Sequence, residues 1–279
     1  MPRSSTRRTQ ANVWWVHVML AVGGFIMVLP FLYQLLASFM SNAQMLTVPT
    51  TLWPTEWNFD NFVKVFERLP FAAQLGNSVL FAAIRTVAHV VFCTLAGYAF
   101  ARMRFRGSGI LFGLFLSVLM VPSGLLLIPQ YEIIVGLGWI NTVQGVVAPN
   151  LVSVFGTFLM RQFFLAMPKD LEDAARLDGA GPARIFAQIM LPLAKPGISA
   201  LAVIEVIQAW GDLLWPLVVT THNDRMPIAV GLATLQGDPN VDYPVLLAAS
   251  LMAVLPVIIV FLIMQRRVVE GLAQSGLKG

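Results

Sequence analysis

Apolar residues fall into six blocks, at roughly residues 14 to 39, 72 to 100, 110 to 129, 139 to 163, 197 to 221 and 244 to 265. Between them lie segments rich in Pro, Asn, Asp, Arg and Lys. A helix needs about 20 residues to cross a hydrocarbon core of about 30 Å, and each block reaches that length. The pattern predicts an all-α polytopic membrane protein with six transmembrane helices, organised as one membrane domain over residues 1 to 279. The first block follows the basic stretch MPRSSTRRTQ. It is longer than a signal-peptide core and has no clear small-residue cleavage site, so it reads as a retained first helix.

Composition agrees with that reading. Hydrophobic residues make up 57% of the 279 residues and charged residues only 11%, against roughly 25% charged in a soluble domain. Mean hydropathy is +0.76. The net charge of +4 comes from basic residues at the ends of apolar blocks rather than from a dense patch, which argues against nucleic acid as a partner. Their distribution sets the topology instead. Fourteen of the eighteen basic residues fall on one side: Arg3, Arg7 and Arg8; Arg102, Arg104 and Arg106; Arg161, Lys169, Arg176, Arg184 and Lys195; and Arg266, Arg267 and Lys278. Lys64, Arg68 and Arg225 fall on the other, and Arg85 lies within a block. The positive-inside rule then places both termini in the cytoplasm. The outer side carries loops from Met40 to Phe71, Tyr131 to Gly138 and His222 to Tyr243.

One cytoplasmic segment breaks the pattern. Residues 167 to 196, MPKDLEDAARLDGAGPARIFAQIMLPLAKP, are too polar to span the bilayer and too patterned for a tether. Asp170, Glu172 and Asp173 place negative charge in a helix's first turn after Pro168, and Leu171, Ala174, Ala175 and Leu177 make an apolar strip. Gly179, Gly181 and Pro182 stop that helix, and a second one over residues 182 to 190 ends at Pro192. A short amphipathic helix on such a loop either lies in the membrane interface or docks into a groove of another protein. The small Ala174–Ala175 step and the acidic turn favour close approach to a cationic partner.

The run from Asp173 to Pro192 resembles the coupling loop of ABC importer permeases, with its Glu-Ala-Ala, Asp-Gly-Ala and Ile-x-Leu-Pro pattern. Here Asp173 stands at the family's glutamate position, with Glu172 one residue earlier. Other pieces follow in order: Asn77-Ser78, Ala96 to Arg102 (AGYAFAR), Ile128 to Tyr131 (IPQY), Leu137 to Thr142 (LGWINT), Trp210 to Pro216 (WGDLLWP) and Gly271 to Gly279. Gly211 replaces the Asn more often seen before the acidic residue in the WGDLLWP stretch. Together they are similar to the carbohydrate-uptake branch, specifically to the second permease of maltose-type importers.

The resemblance implies a transport subunit, not an enzyme, in a bacterial or archaeal cytoplasmic membrane. Implied partners are a second, different permease, two copies of an ABC ATPase that bind ATP and Mg, an extracytoplasmic solute-binding protein, a sugar and membrane lipid. The implied coupling residues are Glu172, Asp173, Ala174, Ala175, Asp178 and Gly179. In keeping with this, no Gly-x-x-x-x-Gly-Lys-Ser/Thr phosphate-binding sequence occurs in the chain, so ATP hydrolysis falls to a separate subunit. His17, His89, His222 and the lone Cys93 have no metal-ligand spacing. Cys93 reads as a small buried hydrophobe.

Ionisable residues inside a span need a partner, water or a function. Arg85 and His89 are four residues apart and share a helix face, either lining a path or making a bundle contact with Glu205. Asp212 lies between Trp210 and Trp215, and carboxylates beside aromatic planes are a common way to hold sugars. The alternative for these residues is an aromatic belt and a packed helix end. Asp212, Trp210, Asn77, Gln130 and Tyr131 are therefore the substrate-path candidates. Two other readings stay open: an importer of a glycerol phosphodiester or phosphate ester, and an ion-coupled secondary transporter using the intramembrane charges.

Overall fold

The structure is a computed structural model that describes residues 10 to 49 and 51 to 276, with side chains from 14 to 49 and from 51 to 263. Arg3, Arg7, Arg8 and Lys278 lie outside the described residues, as do the side chains of Arg266, Arg267 and the Gly271 to Gly279 motif. Every regular element among the described residues is helical.

The chain divides into two compact units, Met1–Arg68 with Leu235–Met252, and Leu69–Thr234 with Ala253–Gly279. The first unit begins with α1 (Gln10–Ala37). The Met40 to Phe71 segment, expected as a loop, carries two short helices, α2 (Asn42–Met45) and α3 (Asp60–Arg68). The Asn61 amide is buried and donates to the carbonyls of Ser38 and Met40, both at 2.9 Å. Phe39 sits among Trp57, Phe59 and Phe62 with ring centroids 5.1–5.4 Å apart. Such a segment holds its shape through aromatic burial and satisfied carbonyls rather than through periodicity.

The second unit is built on α4 (Phe71–Arg102), an unbroken helix of 32 residues. Its buried positions Phe71, Gln74, Ser78, Phe81, Arg85, His89, Cys93 and Gly97 recur every three or four residues, so one face runs its whole length. Four of those eight positions are polar. In a lipid setting such a stripe must face protein. Close approach depends on Gly97, where a Cβ would fall 2.7 Å from Met160 Cβ and 2.9 Å from the Arg161 backbone nitrogen.

Three expected helices are interrupted. The block at 110 to 129 becomes α5 (Ser108–Ser117) continued by a 3₁₀ turn to Met120, then a 3₁₀ turn at Ser123–Leu126 and α6 (Leu127–Gly136), with a 93° bend between the halves. Pro122 is the cause: it has no N–H and holds the preceding Val121 in the extended region, at ψ 118°. Consequently the expected loop at Tyr131 to Gly138 is helical as far as Gly136. The 139 to 163 block splits, with a 46° bend, into α7 (Val143–Val147), extended by a 3₁₀ turn to Asn150, and α8 (Val154–Ala166), which Ser153 caps.

The third correction concerns residues 182 to 221. After α9 (Asp170–Leu177) come α10 (Pro182–Ile185), a π-helical turn over Phe186–Met190 and α11 (Leu191–Leu193). Pro192 does not end this segment as expected; because it cannot donate to the carbonyl four residues back, the helix widens before it and runs on for a residue. A 71° bend leads into α12 (Lys195–Trp210). The expected single helix over 197 to 221 then breaks at Gly211 to Leu213 before α13 (Leu214–Val219). The His222 to Tyr243 loop contains α14 (Ile228–Gln236), and α15 (Tyr243–Gly276) follows. Among the described residues three helices are long and apolar enough to cross a membrane alone, and counting each bent pair as one span gives up to six.

Candidate functional site: a coupling helix and two intramembrane ion pairs

The helix α9 is short and defined at its end. Asp178 is its C-cap and Gly179 adopts φ +79°, so that Gly179 N–H reaches Arg176 O and Ala180 N–H reaches Ala175 O. This pairing satisfies the last carbonyls and requires a left-handed residue, which glycine supplies without a Cβ penalty. The Asp178-Gly179 step in the sequence is therefore the stop signal of the helix.

Within the unit α9 buries only Glu172 and Ala175. The Glu172 carboxylate, with its side chain 4% exposed, lies 3.2 Å from Arg102 Nε and 3.3 Å from Arg176 Nη2. Arg102 is equally buried, and its Nη2 also donates to the carbonyls of Phe164 and Met167, both at 2.6 Å. Asp173, in contrast, has a side chain 65% exposed and is bonded by Arg176 Nη1 at 2.9 Å. Leu171, Ala174 and Asp178 are exposed too, and Leu177 is 91% exposed. The apolar strip read from the sequence thus points outward except at Ala175, while the inward face is led by a carboxylate. A cleft of about 710 Å³ opens beside it, lined by Tyr98, Arg102, Arg104, Lys169, Glu172 and Arg176 among others. Beneath it Tyr98 packs on Phe164 and Phe186, with centroids 5.4 and 4.8 Å away.

Two ion pairs join α4 to the α12–α13 region. Arg85 Nη1 lies 2.6 Å from Asp212 Oδ2 in the non-helical step, and His89 Nδ1 faces Glu205 Oε2. The other His89 nitrogen, Nε2, is 2.6 Å from Asn150 O. A carbonyl only accepts, so the Nε2–H donates to Asn150 O. Arg85 and His89 therefore make bundle contacts, with Glu205 as the sequence suggested for His89.

The substrate-path candidates do not converge. Asp212 is taken by Arg85. The Asn77 amide donates to Asp224 O and Met226 O, holding the segment that follows α13, and Trp210 Nε1 donates to Ala253 O at 3.2 Å. Trp215 is buried, with Nε1 on the carbonyls of Gly145 and Val146. Gln130 and Tyr131 sit on α6 and share no hydrogen bond with the others among the described residues. Cys93 is fully buried, its thiol on Ser153 O.

Sequence reasoning missed Arg102, whose place at the end of an apolar helix reads as a membrane anchor. It also missed Gln74 and Asn141, which clamp the segment after α13. The Gln74 amide donates to Asn223 O, and Asn141, at φ +60°, accepts from Thr221 N and His222 N. An Asn after an apolar segment, at a turn that needs positive φ, was the signal available for the second.

Residues 91–273 match the family described as binding-protein-dependent transport system inner membrane component. The chain belongs to that family. Over 269 residues this permease is 36% identical to the arabinooligosaccharides transport system permease protein AraQ of Halalkalibacterium halodurans, covering 95% of this chain and 96% of the relative. It is 33% identical over 268 residues to the sn-glycerol-3-phosphate transport system permease protein UgpE of Brucella abortus, covering 93% and 95%. Its fold is that of a chain from a bacterial ABC transporter involved in the import of the acidic polysaccharide alginate, with a TM-score of 0.79 at 24% identity, covering 95% of this chain and 99% of that one. This is a multi-pass inner-membrane permease of the ABC importer class.

Proposed function

We propose that this permease carries a neutral sugar or short oligosaccharide into the cytoplasm by alternating access. Both termini lie in the cytoplasm, a second and different permease completes the pathway, and a solute-binding protein delivers the substrate from outside. Two copies of a separate ATPase bind ATP and Mg and supply the energy. Their docking surface is the outward face of α9, formed by Leu171, Asp173, Ala174 and Leu177, and Asp173 is the carboxylate offered to a cationic group on the ATPase. Glu172 serves from behind by anchoring the helix. ATP-driven closure of the ATPases pushes α9 and shifts the permease pair between inward-facing and outward-facing states.

The observation that favours a neutral substrate over a phosphate ester is the Arg85–Asp212 pair. A phosphate group calls for free cationic donors. Among the described intramembrane residues, Arg85 is neutralised at 2.6 Å and His89 is committed to Glu205 and Asn150. The relative named for arabinooligosaccharides supports the same reading, and the relative named for sn-glycerol-3-phosphate supports the phosphate-ester alternative. An ion-coupled mechanism has less support, since the groups it would use are paired with one another. The test is a thermal-shift panel on the cognate binding protein, followed by uptake in proteoliposomes. Neutral oligosaccharides should stabilise it, and stabilisation by glycerol 3-phosphate alone would overturn the reading.

A further inference from the structure

We propose that α4 is a strut that ties the position of α9 to the helix break at Asp212, with Arg102 and Arg85 as its two positioning residues. The proposal rests on the reading of α9 as the ATPase-docking helix and adds the route by which its displacement enters the membrane.

At one end of α4 a single guanidinium joins three elements. Arg102 forms an ion pair with Glu172 of α9, its Nε 3.2 Å from the carboxylate without a hydrogen bond, and donates to the carbonyls of Phe164 and Met167 at the end of α8 through Nη2. Arginine suits this place because its planar fork serves several acceptors in fixed directions, which a lysine ammonium does not. Both charges are buried, so α9 cannot slide away from α4 without leaving one of them unpaired in a poorly hydrated site. Arg176 closes on the second Glu172 oxygen and fixes the carboxylate plane.

At the other end Arg85 grips Asp212 at 2.6 Å, inside the non-helical step between α12 and α13. The two arginines are seventeen residues apart, about 25 Å along a helix that rises about 1.5 Å per residue. That stretch is continuous, with no internal proline, and its single glycine, Gly97, is packed against α8. Two contacts hold it against the neighbouring helices, the His89–Glu205 pair on α12 and the close approach of Gly97 to Met160 and Arg161 on α8. A push on α9 is therefore delivered to the non-helical step from Gly211 to Leu213, which Asp212 ties to α4 so that it moves with it.

The experiment uses the assembled importer in nanodiscs, with spin labels on cysteines at Asp170 of α9 and Leu214 of α13, both exposed. In the native background the distance between the labels should stay the same with and without ATP, because both ends move with α4. In Arg102→Gln the distribution should broaden on ATP binding, and stimulation of the ATPase by loaded binding protein should fall about tenfold, within the range usual for coupling between sites. The double variant Arg102→Gln with Glu172→Gln leaves no buried unpaired charge, so it should assemble and still be uncoupled. Arg102→Lys should recover only part of the stimulation. A native label distance that changes with nucleotide overturns the strut, as does full stimulation in both the single and the double variant. An importer whose ATPase ignores its binding protein overturns the docking reading itself, and the strut with it.

Discussion

Gln74 fills the space that a side chain at Gly231 would need: a Cβ there would lie 1.9 Å from Gln74 Oε1. Gln74 is fully buried and its amide is held by Asn223 O at 3.1 Å, so it has nowhere to swing. Gly231→Ala should therefore lower stability by about 1–3 kcal/mol, the usual cost of overpacking a filled site. Thermal unfolding of the purified permease checks this. A companion Gln74→Ala change should restore part of the loss by opening the space.

The Arg85–Asp212 pair gives the second prediction. Removing one partner strands a charge in the bundle, at about 3–5 kcal/mol, whereas replacing both with apolar residues is often close to neutral. Asp212→Ala should thus be poorly stable. Arg85→Met with Asp212→Leu should recover most of the melting temperature while transport remains impaired. A double variant as unstable as the single one would rule out pairing as the main role of Asp212.

Asn141 combines a backbone and a side-chain role, since it sits at φ +60° and its Oδ1 takes the N–H groups of Thr221 and His222 at 2.7 and 3.1 Å. Asn141→Asp keeps the acceptor and should cost little. Asn141→Ala loses it and keeps the strained φ, with an expected cost of about 1–3 kcal/mol. Asn141→Gly should fall between them because it relieves the backbone alone. Limited proteolysis of the His222 to Asp242 segment would report the order.

On α9 the prediction separates docking from anchoring. Leu177 is 91% exposed, so Leu177→Asp should leave the melting temperature of the permease unchanged while weakening its co-purification with the ATPase. Burial of a leucine contributes about 1.5–3 kcal/mol, which is more than tenfold in affinity. Asp173→Lys should act in the same way. Glu172→Lys should instead destabilise the permease itself, because it sets two like charges together against Arg102.

Apolar block lengths made the helical membrane character legible, and the stop at Gly179, Gly181 and Pro182 placed α9 within a few residues. The breaks were less legible. Hydropathy averages over a window and is blind to the loss of a single N–H at Pro122, and to an acidic residue whose partner is 127 positions away, as with Arg85 and Asp212. The two carboxylates Glu172 and Asp173 look alike in sequence. Only the arrival of Arg102 from α4, seventy positions earlier, makes Glu172 an inward anchor and leaves Asp173 outside.

The 93° bend at Pro122 carries a requirement for what surrounds it. Its first half, Ser108–Met120, is thirteen residues or about 20 Å long, short of the roughly 30 Å hydrocarbon core. Lipid cannot solvate the peptide groups left bare at such a corner. The described residues do not cover them either, for Met120 is 83% exposed and the residues from Val121 to Leu126 are exposed after it. In the working membrane the corner must meet either a second protein surface or water, and so marks where this subunit ceases to be a lipid-facing wall.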